Sequence, residues 1–294
     1  MSYNLALGGK GYERHNLDTK IVDFTQARNR LYGGNSLEAL TNAKAVVSDM
    51  HGTNVDKAEW ARAEKYAMDN QHVIKSAAEQ LGVGIEDMVK SIKEGSKAEK
   101  GSAEFEKYVD YVDVLVIKSI EDGLEFNLFD DVEGTVKQIK DSGAQYHVFS
   151  SGGVPAQKKV FENNLGDKID GYHSPKQGNI GMKYDAQTYK NISKNMGVDL
   201  KDIIYVADDK KETEAAAKAG IGKVYFIDRS GKDNGKQENG YTIIDSYEKI
   251  LEGELDGMLV DAEGNAISLE EAQEALEGEG EAMEAEAEGS AEAA

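Results

Sequence analysis

The chain has 294 residues, no cysteine, two prolines and a formal net charge of −21. Its length suffices for one large domain or two modest ones, and the lack of cysteine excludes disulfide scaffolds, thiolate metal sites and cysteine nucleophiles. The acidity argues against a nucleic-acid partner, whose phosphates would be repelled, and no apolar run approaches the ~20 residues needed to cross a bilayer.

In chain order, the opening stretch MSYNLALGGKGYERHNLD lacks a basic start followed by a sustained apolar core, so no secretory signal is read and a cytoplasmic location is expected. Residues 1–43 are rich in Asn and Gly and read as a flexible arm, with a short helix expected near 23–31. The GGKG run within the arm lacks the spacing of a phosphate-binding P-loop. The β-branched run at 45–48 then reads as a strand ending at Asp49. Residues 56–122 are helical in pattern; Trp60 and Phe105 read as packing between those helices, and Tyr108 and Tyr111 read as packing there or as specificity residues.

Beyond this, the sequence alternates. An amphipathic helix is expected over 132–142 and a strand over 145–149, ending at Ser150-Ser151-Gly152-Gly153. A helix follows over 155–163, with Pro155 in its first turn, then a short strand near 171–173 and a helix over 185–196. The strand at 203–207 ends at Asp208-Asp209, a helix over 212–219 closes at Gly220, and 224–227 reads as the last clear strand. From residue 251 to the end there are 15 acidic residues and no Lys or Arg, so the rest of the chain carries a net charge of only −6. That segment reads as a solubilising low-complexity tail, with one short helix expected to start at Ser268.

Continuous apolar strands alternating with helices imply an α/β fold with a parallel sheet covered on both faces. In such sheets ligands bind outside the carboxyl ends of the strands. Asp49, Ser150 and Asp208 all fall at strand ends, and Lys183 falls in a loop just before a helix. A carboxylate can attack phosphorus, a divalent cation can bridge carboxylate and phosphate, and a lysine and a hydroxyl can hold the phosphoryl oxygens.

These residues carry a resemblance. Asp49-Met50-His51-Gly52-Thr53 resembles the first motif, Asp-x-Asp-Gly-Thr, of the haloacid dehalogenase superfamily, most of whose members are Mg²⁺-dependent phosphohydrolases. Val148-Phe149-Ser150 resembles the second motif, Lys183 stands where the third has its lysine, and 206–212 resembles the fourth, with Glu212 in the final acidic place. Within the superfamily, the stretch from Phe149 to Lys158 is similar to the Tyr-Ser-Ser-Gly-Ser-Val-x-Ala-Gln-Lys pattern of enolase-phosphatases, the acireductone synthases of methionine salvage.

The resemblance implies a Rossmann-like core at 44–53 and 125–250, a helical cap at 54–124 and Mg²⁺ as cofactor. It implies hydrolysis of a small phosphorylated metabolite through a phospho-aspartate at Asp49. Asp49, His51 and Lys183 would be catalytic, and Ser150, Ser151, Gly152 and Lys183 would bind phosphate. Asp49, the backbone carbonyl of His51, and Asp208 would hold the metal, with Asp209 or Glu212 as a further acidic contact. His51 departs from the pattern by standing where the superfamily has its second aspartate. Histidine titrates near neutral pH and can both protonate a leaving oxygen and activate water. It is equally compatible with slowed or lost turnover, as in a phosphate-binding or partner-binding protein on the same scaffold. The five histidines lack the spacing of a zinc site.

Overall fold

The computed structural model describes residues 43–99 and 101–252, together with two short strands at 258–260 and 266–268. The helix expected near 23–31 lies outside the described residues. Ser268, expected to cap a short helix, is the last residue of the second of the two short strands, and the helix expected after it lies outside the described residues.

The chain enters at β1 (Ala45–Asp49), passes through four helices, α1 (Ala58–Asp69), α2 (Gln71–Leu81), α3 (Ile85–Gly95) and α4 (Ala103–Glu121), and returns at α5 (Val132–Asp141). It continues through β2 (Gln145–Phe149), α6 (Val154–Phe161), β3 (Gly171–His173), α7 (Ala186–Met196), β4 (Ile203–Ala207), α8 (Lys210–Ala219) and β5 (Lys223–Ile227). The hairpin β6 (Gln237–Glu238) and β7 (Tyr241–Ile244) and the short α9 (Lys249–Glu252) complete this unit. A second unit contains the antiparallel pair β8 (Met258–Val260) and β9 (Ala266–Ser268).

Seven strands form one sheet in the order β3-β2-β1-β4-β5-β7-β6, parallel throughout except for β6. β1 lies at the centre, paired with β2 on one side and β4 on the other. The chain thus builds outward in opposite directions from β1, and the carboxyl ends of β1, β2 and β4 flank that switch point, where sheets of this kind bind ligands. All three strands are mostly apolar and almost wholly buried because both faces are covered. Side chains alternate between two cores: Val46, Tyr146, Val148, Ile204 and Val206 pack on one face, and Val47, Phe149, Ile203, Tyr205 and Ala207 on the other. The four inserted helices have a core of their own, built on Ala67, Ile74, Met88, Ile92, Tyr111 and Leu115.

The sheet extends past β5, the last strand expected from sequence. Asn239 and Gly240 both take positive φ, 47° and 85°, and turn β6 back onto β7. This is the Asn-Gly signature of a tight hairpin, set between strands too short to show a clear alternation. No helix among the described residues is long and apolar enough to cross a membrane.

Candidate active site at the carboxyl ends of the central strands

Asp49 is the last residue of β1 and is 4% exposed. Its Oδ1 accepts a hydrogen bond from Lys183 Nζ, and Thr53 Oγ1 donates to its Oδ2 at 3.4 Å. The turn after β1 is fixed by Asn54, whose amide donates to Ser48 Oγ at 3.1 Å and to the Asp49 carbonyl at 3.0 Å. Asn54 Oδ1 in turn accepts from the buried Tyr146 hydroxyl at 3.1 Å.

Lys183 is equally buried. Its ammonium bridges Asp49 and Glu212, the latter at 2.7 Å, and lies 5.2 Å from the centre of the Phe149 ring. Burial alone would depress the Lys183 pKa, but the charges of Asp49 and Glu212 outweigh it and hold the ammonium above the ordinary lysine range. Burial pushes the Glu212 carboxyl up, Lys183 opposes the shift, and Asp49 adds to it. The Tyr205 hydroxyl donates to Glu212 Oε2 at 3.1 Å, and the Tyr189 hydroxyl donates to the Lys183 carbonyl at 2.8 Å. Glu212, one of the two candidates for the further acidic contact to the metal, is thus paired with Lys183. Asp209, the other contender, caps α8 by accepting from the Lys211 N–H at 2.9 Å.

Ser150 follows β2 and is fully buried. Its N–H donates to the His173 carbonyl at 3.1 Å, and its hydroxyl lies 3.3 Å from His51 Nδ1 and accepts the Gly152 N–H at 3.3 Å. Gln157 ties this loop down by donating to the Gly152 and His173 carbonyls, each at 2.9 Å. The His51 ring rests edge-on against Trp60 of α1, with centroids 3.6 Å apart. Asp208, after β4, ion-pairs with Lys57 at the start of α1. A Cβ on Gly52 (φ 79°) would sit 2.1 Å from Asp208 Oδ2, so the carboxylate lies directly on the backbone of the first loop. Burial, and then the neighbouring charge of Asp49, raise the Asp208 pKa.

The structure thus brings Asp49, His51, Ser150, Lys183 and Asp208 to one end of the sheet, with Ser151 and Gly152 in the adjoining loop. Sequence reading missed Asn54, Lys57, Tyr189 and Tyr205. Asn54 and Lys57 stand within eight residues of Asp49 in the sequence, but nothing in their spacing names their partners.

The donors offered to a cation are hard oxygens: the carboxylates of Asp49 and Asp208, which feel each other's charge, and the nearby backbone of residues 51–52. Among the described residues no three His, Asp or Glu side chains cluster as a metal cage. Two carboxylates beside a backbone turn are a donor set that fits Mg²⁺, which binds through one or two carboxylates and keeps several waters.

A parallel α/β sheet with carboxylates, a lysine and a hydroxyl at its switch point defines the class of this protein. The family model of haloacid dehalogenase-like hydrolases matches residues 43–220, and the chain belongs to that family. Enolase-phosphatase E1 of Caenorhabditis briggsae is 34% identical over 128 residues, 42% of this chain and 51% of that protein. Enolase-phosphatase E1 of Xenopus tropicalis is 33% identical over 102 residues, 33% of this chain and 38% of that protein. The chain therefore spans about half or less of the length of these curated relatives. Two solved structures share the fold: the Unknown transcript 4 protein of Saccharomyces cerevisiae (TM-score 0.54, 19% identity, 70% of this chain and 99% of that one) and a HAD phosphatase from Thermococcus onnurineus (TM-score 0.52, 17% identity, 73% and 98%).

Proposed function

We propose that this protein hydrolyses the phosphate monoester of a small metabolite, with Asp49 as nucleophile. The observation that carries the reading is the buried Asp49–Lys183–Glu212 chain beside Ser150. A carboxylate at a strand end, with one oxygen held by an ammonium, is oriented for attack on phosphorus. Asp49 would displace the alcohol to form an acyl phosphate, while Lys183 and Ser150 hold phosphoryl oxygens. His51 would protonate the leaving oxygen, then take a proton from the water that cleaves the acyl phosphate. Asp49, Asp208 and the His51 carbonyl would hold Mg²⁺, which when bound neutralises charge between carboxylate and phosphate. Helices α1–α4 would serve as the cap that closes the crevice.

Turnover of an aryl phosphate with Mg²⁺ tests this. Wild type is expected to release phosphate, and Asp49→Asn is expected to lose turnover with an unchanged far-UV spectrum. A silent wild type, or an active Asp49→Asn, refutes the reading; phosphate binding without turnover would instead mark a non-catalytic binding protein.

The enolase-phosphatase relatives favour a narrower second reading, acireductone synthase activity. It requires enolisation of a diketo-phosphate as well as phosphate release, and release of phosphate from that substrate with no enolisation excludes it.

A further inference from the structure

Asp113 lies in the middle of α4, the last inserted helix, yet its carboxylate leaves that layer and reaches the loop after β2. Its Oδ2 accepts the Gly153 N–H at 2.6 Å. A Cβ built on Gly152 would be 2.8 Å from Asp113 Oδ1, and one on Gly153 would be 3.2 Å from Oδ2, so the carboxylate rests on two consecutive glycine backbones. Gly153 is the N-cap of α6 and can supply no capping side chain. Three residues on, where a Glu or Gln would return to the N-cap N–H, stands Ala156. Asp113 supplies that acceptor from another layer of the molecule.

Lys176, in the segment between β3 and α7, donates to Asp113 Oδ2 at 3.0 Å and to Asp110 Oδ1 at 2.6 Å. The same segment leads on to Lys183. One carboxylate thus joins the inserted helices, the Ser150–Gly153 loop and the strand-end segment that carries the site lysine. Burial pushes the Asp113 carboxyl up, with Lys176 and the Gly153 N–H opposing. A surface carboxylate would cap a helix without that desolvation.

We propose that Asp113 is a positioning residue for phosphate binding, holding the Ser150–Gly153 loop in register with Asp49 and Lys183 from the inserted helices. The inference rests on the phosphatase reading of the same site. It makes phosphate affinity depend on a residue that touches no phosphate, and it requires glycine at 152 and 153 for the close approach.

The test compares Asp113→Ala, which removes the acceptor, with Asp113→Asn, which keeps a carbonyl oxygen for the Gly153 N–H but loses the charge facing Lys176. Asp110→Asn, which touches Lys176 but not the loop, serves as the control. Binding of inorganic phosphate by titration calorimetry with Mg²⁺ present, KM and kcat for an aryl phosphate, and amide exchange of the 150–157 segment are measured on each. Asp113→Ala is expected to weaken phosphate binding and raise KM by about tenfold, the value of a hydrogen bond to a charged acceptor. Its loop amides should exchange faster, Asp113→Asn should recover most of the loss, and Asp110→Asn should behave as wild type. Wild-type phosphate affinity in Asp113→Ala, or an Asp113→Asn as impaired as Asp113→Ala while still folded, overturns the inference. A wild type that neither binds phosphate nor turns over overturns the phosphatase reading itself, a distinct result.

Discussion

At the residue scale, His51 and Lys57 carry the site's departures from an ordinary carboxylate pair. His51 is held between the Ser150 hydroxyl and the Trp60 ring. As the proposed acid and base it is expected to be worth about 10²–10⁴ in kcat, so His51→Ala should fall by that factor with little change in KM. A KM effect with unchanged kcat would assign the ring to binding instead. Lys57 presents its own cation to Asp208, so the proposed divalent ion would compete with it. The lysine is largely exposed and screened, which limits the gain: Lys57→Ala should bind Mg²⁺ more tightly, by up to about fivefold, in a calorimetric titration. Unchanged or weaker binding would show that the ammonium does not oppose the metal.

Beneath the Ser150 loop, His147 and His173 stack with Nδ1 and Nε2 3.2 Å apart. Burial pushes both down to about 4, with Asp170 opposing and Lys140 adding for His147, and His147 adding for His173. A histidine near 6.5 when unfolded and near 4 when folded binds more protons unfolded between those values. Its stabilisation is therefore complete above pH 6.5 and is lost as the pH falls towards 4. The loss per histidine approaches about 1.4 kcal/mol per pH unit inside that window. Urea midpoints should drop steadily from pH 7 to pH 5, and the double variant His147→Leu/His173→Leu should flatten the slope.

At the scale of elements, the central strands were legible because a both-faces-buried strand must be a short apolar run, and its end is marked by the first polar residue. Asp49, Ser150 and Asp208 were found that way, and the resemblance supplied Lys183. What joins the elements was not legible. Asp113 meets Gly153 across 40 residues and Lys57 meets Asp208 across 151, and no periodicity encodes such pairings. The division of residues 56–122 into four helices was also hidden, because α1 and α2 are separated by Asn70 alone. The insertion nevertheless holds its own core, in which Leu115 of α4 is fully buried. Leu115→Ala should cost about 2–5 kcal/mol in chemical denaturation, the usual cost of a buried leucine deletion with incomplete collapse. A loss under ~1 kcal/mol would mean that the helices repack freely, and α4 could not then hold Asp113 in a fixed place.

At the scale of the whole molecule, the charge of −21 and the proposed anionic substrate stand in apparent conflict. The conflict is resolved by where the charge lies. The acids at the site are each paired with a lysine, Asp208 with Lys57 and both Asp49 and Glu212 with Lys183, whereas residues 253–294 hold 14 acidic residues and no basic one. Those residues lie beyond the family match, which ends at 220. Their effect on a phosphate ester should therefore act through the long-range field and leave the chemistry untouched. A chain ending at Glu252 should keep the kcat of the full protein. Its KM should be lower at 10 mM salt, where the Debye length is about 30 Å, and should equal that of the full chain at 0.15 M, where it is about 8 Å. A changed kcat would place the terminal segment in the catalytic machinery, and a KM difference that survives physiological salt would mean direct contact with the substrate or the cap.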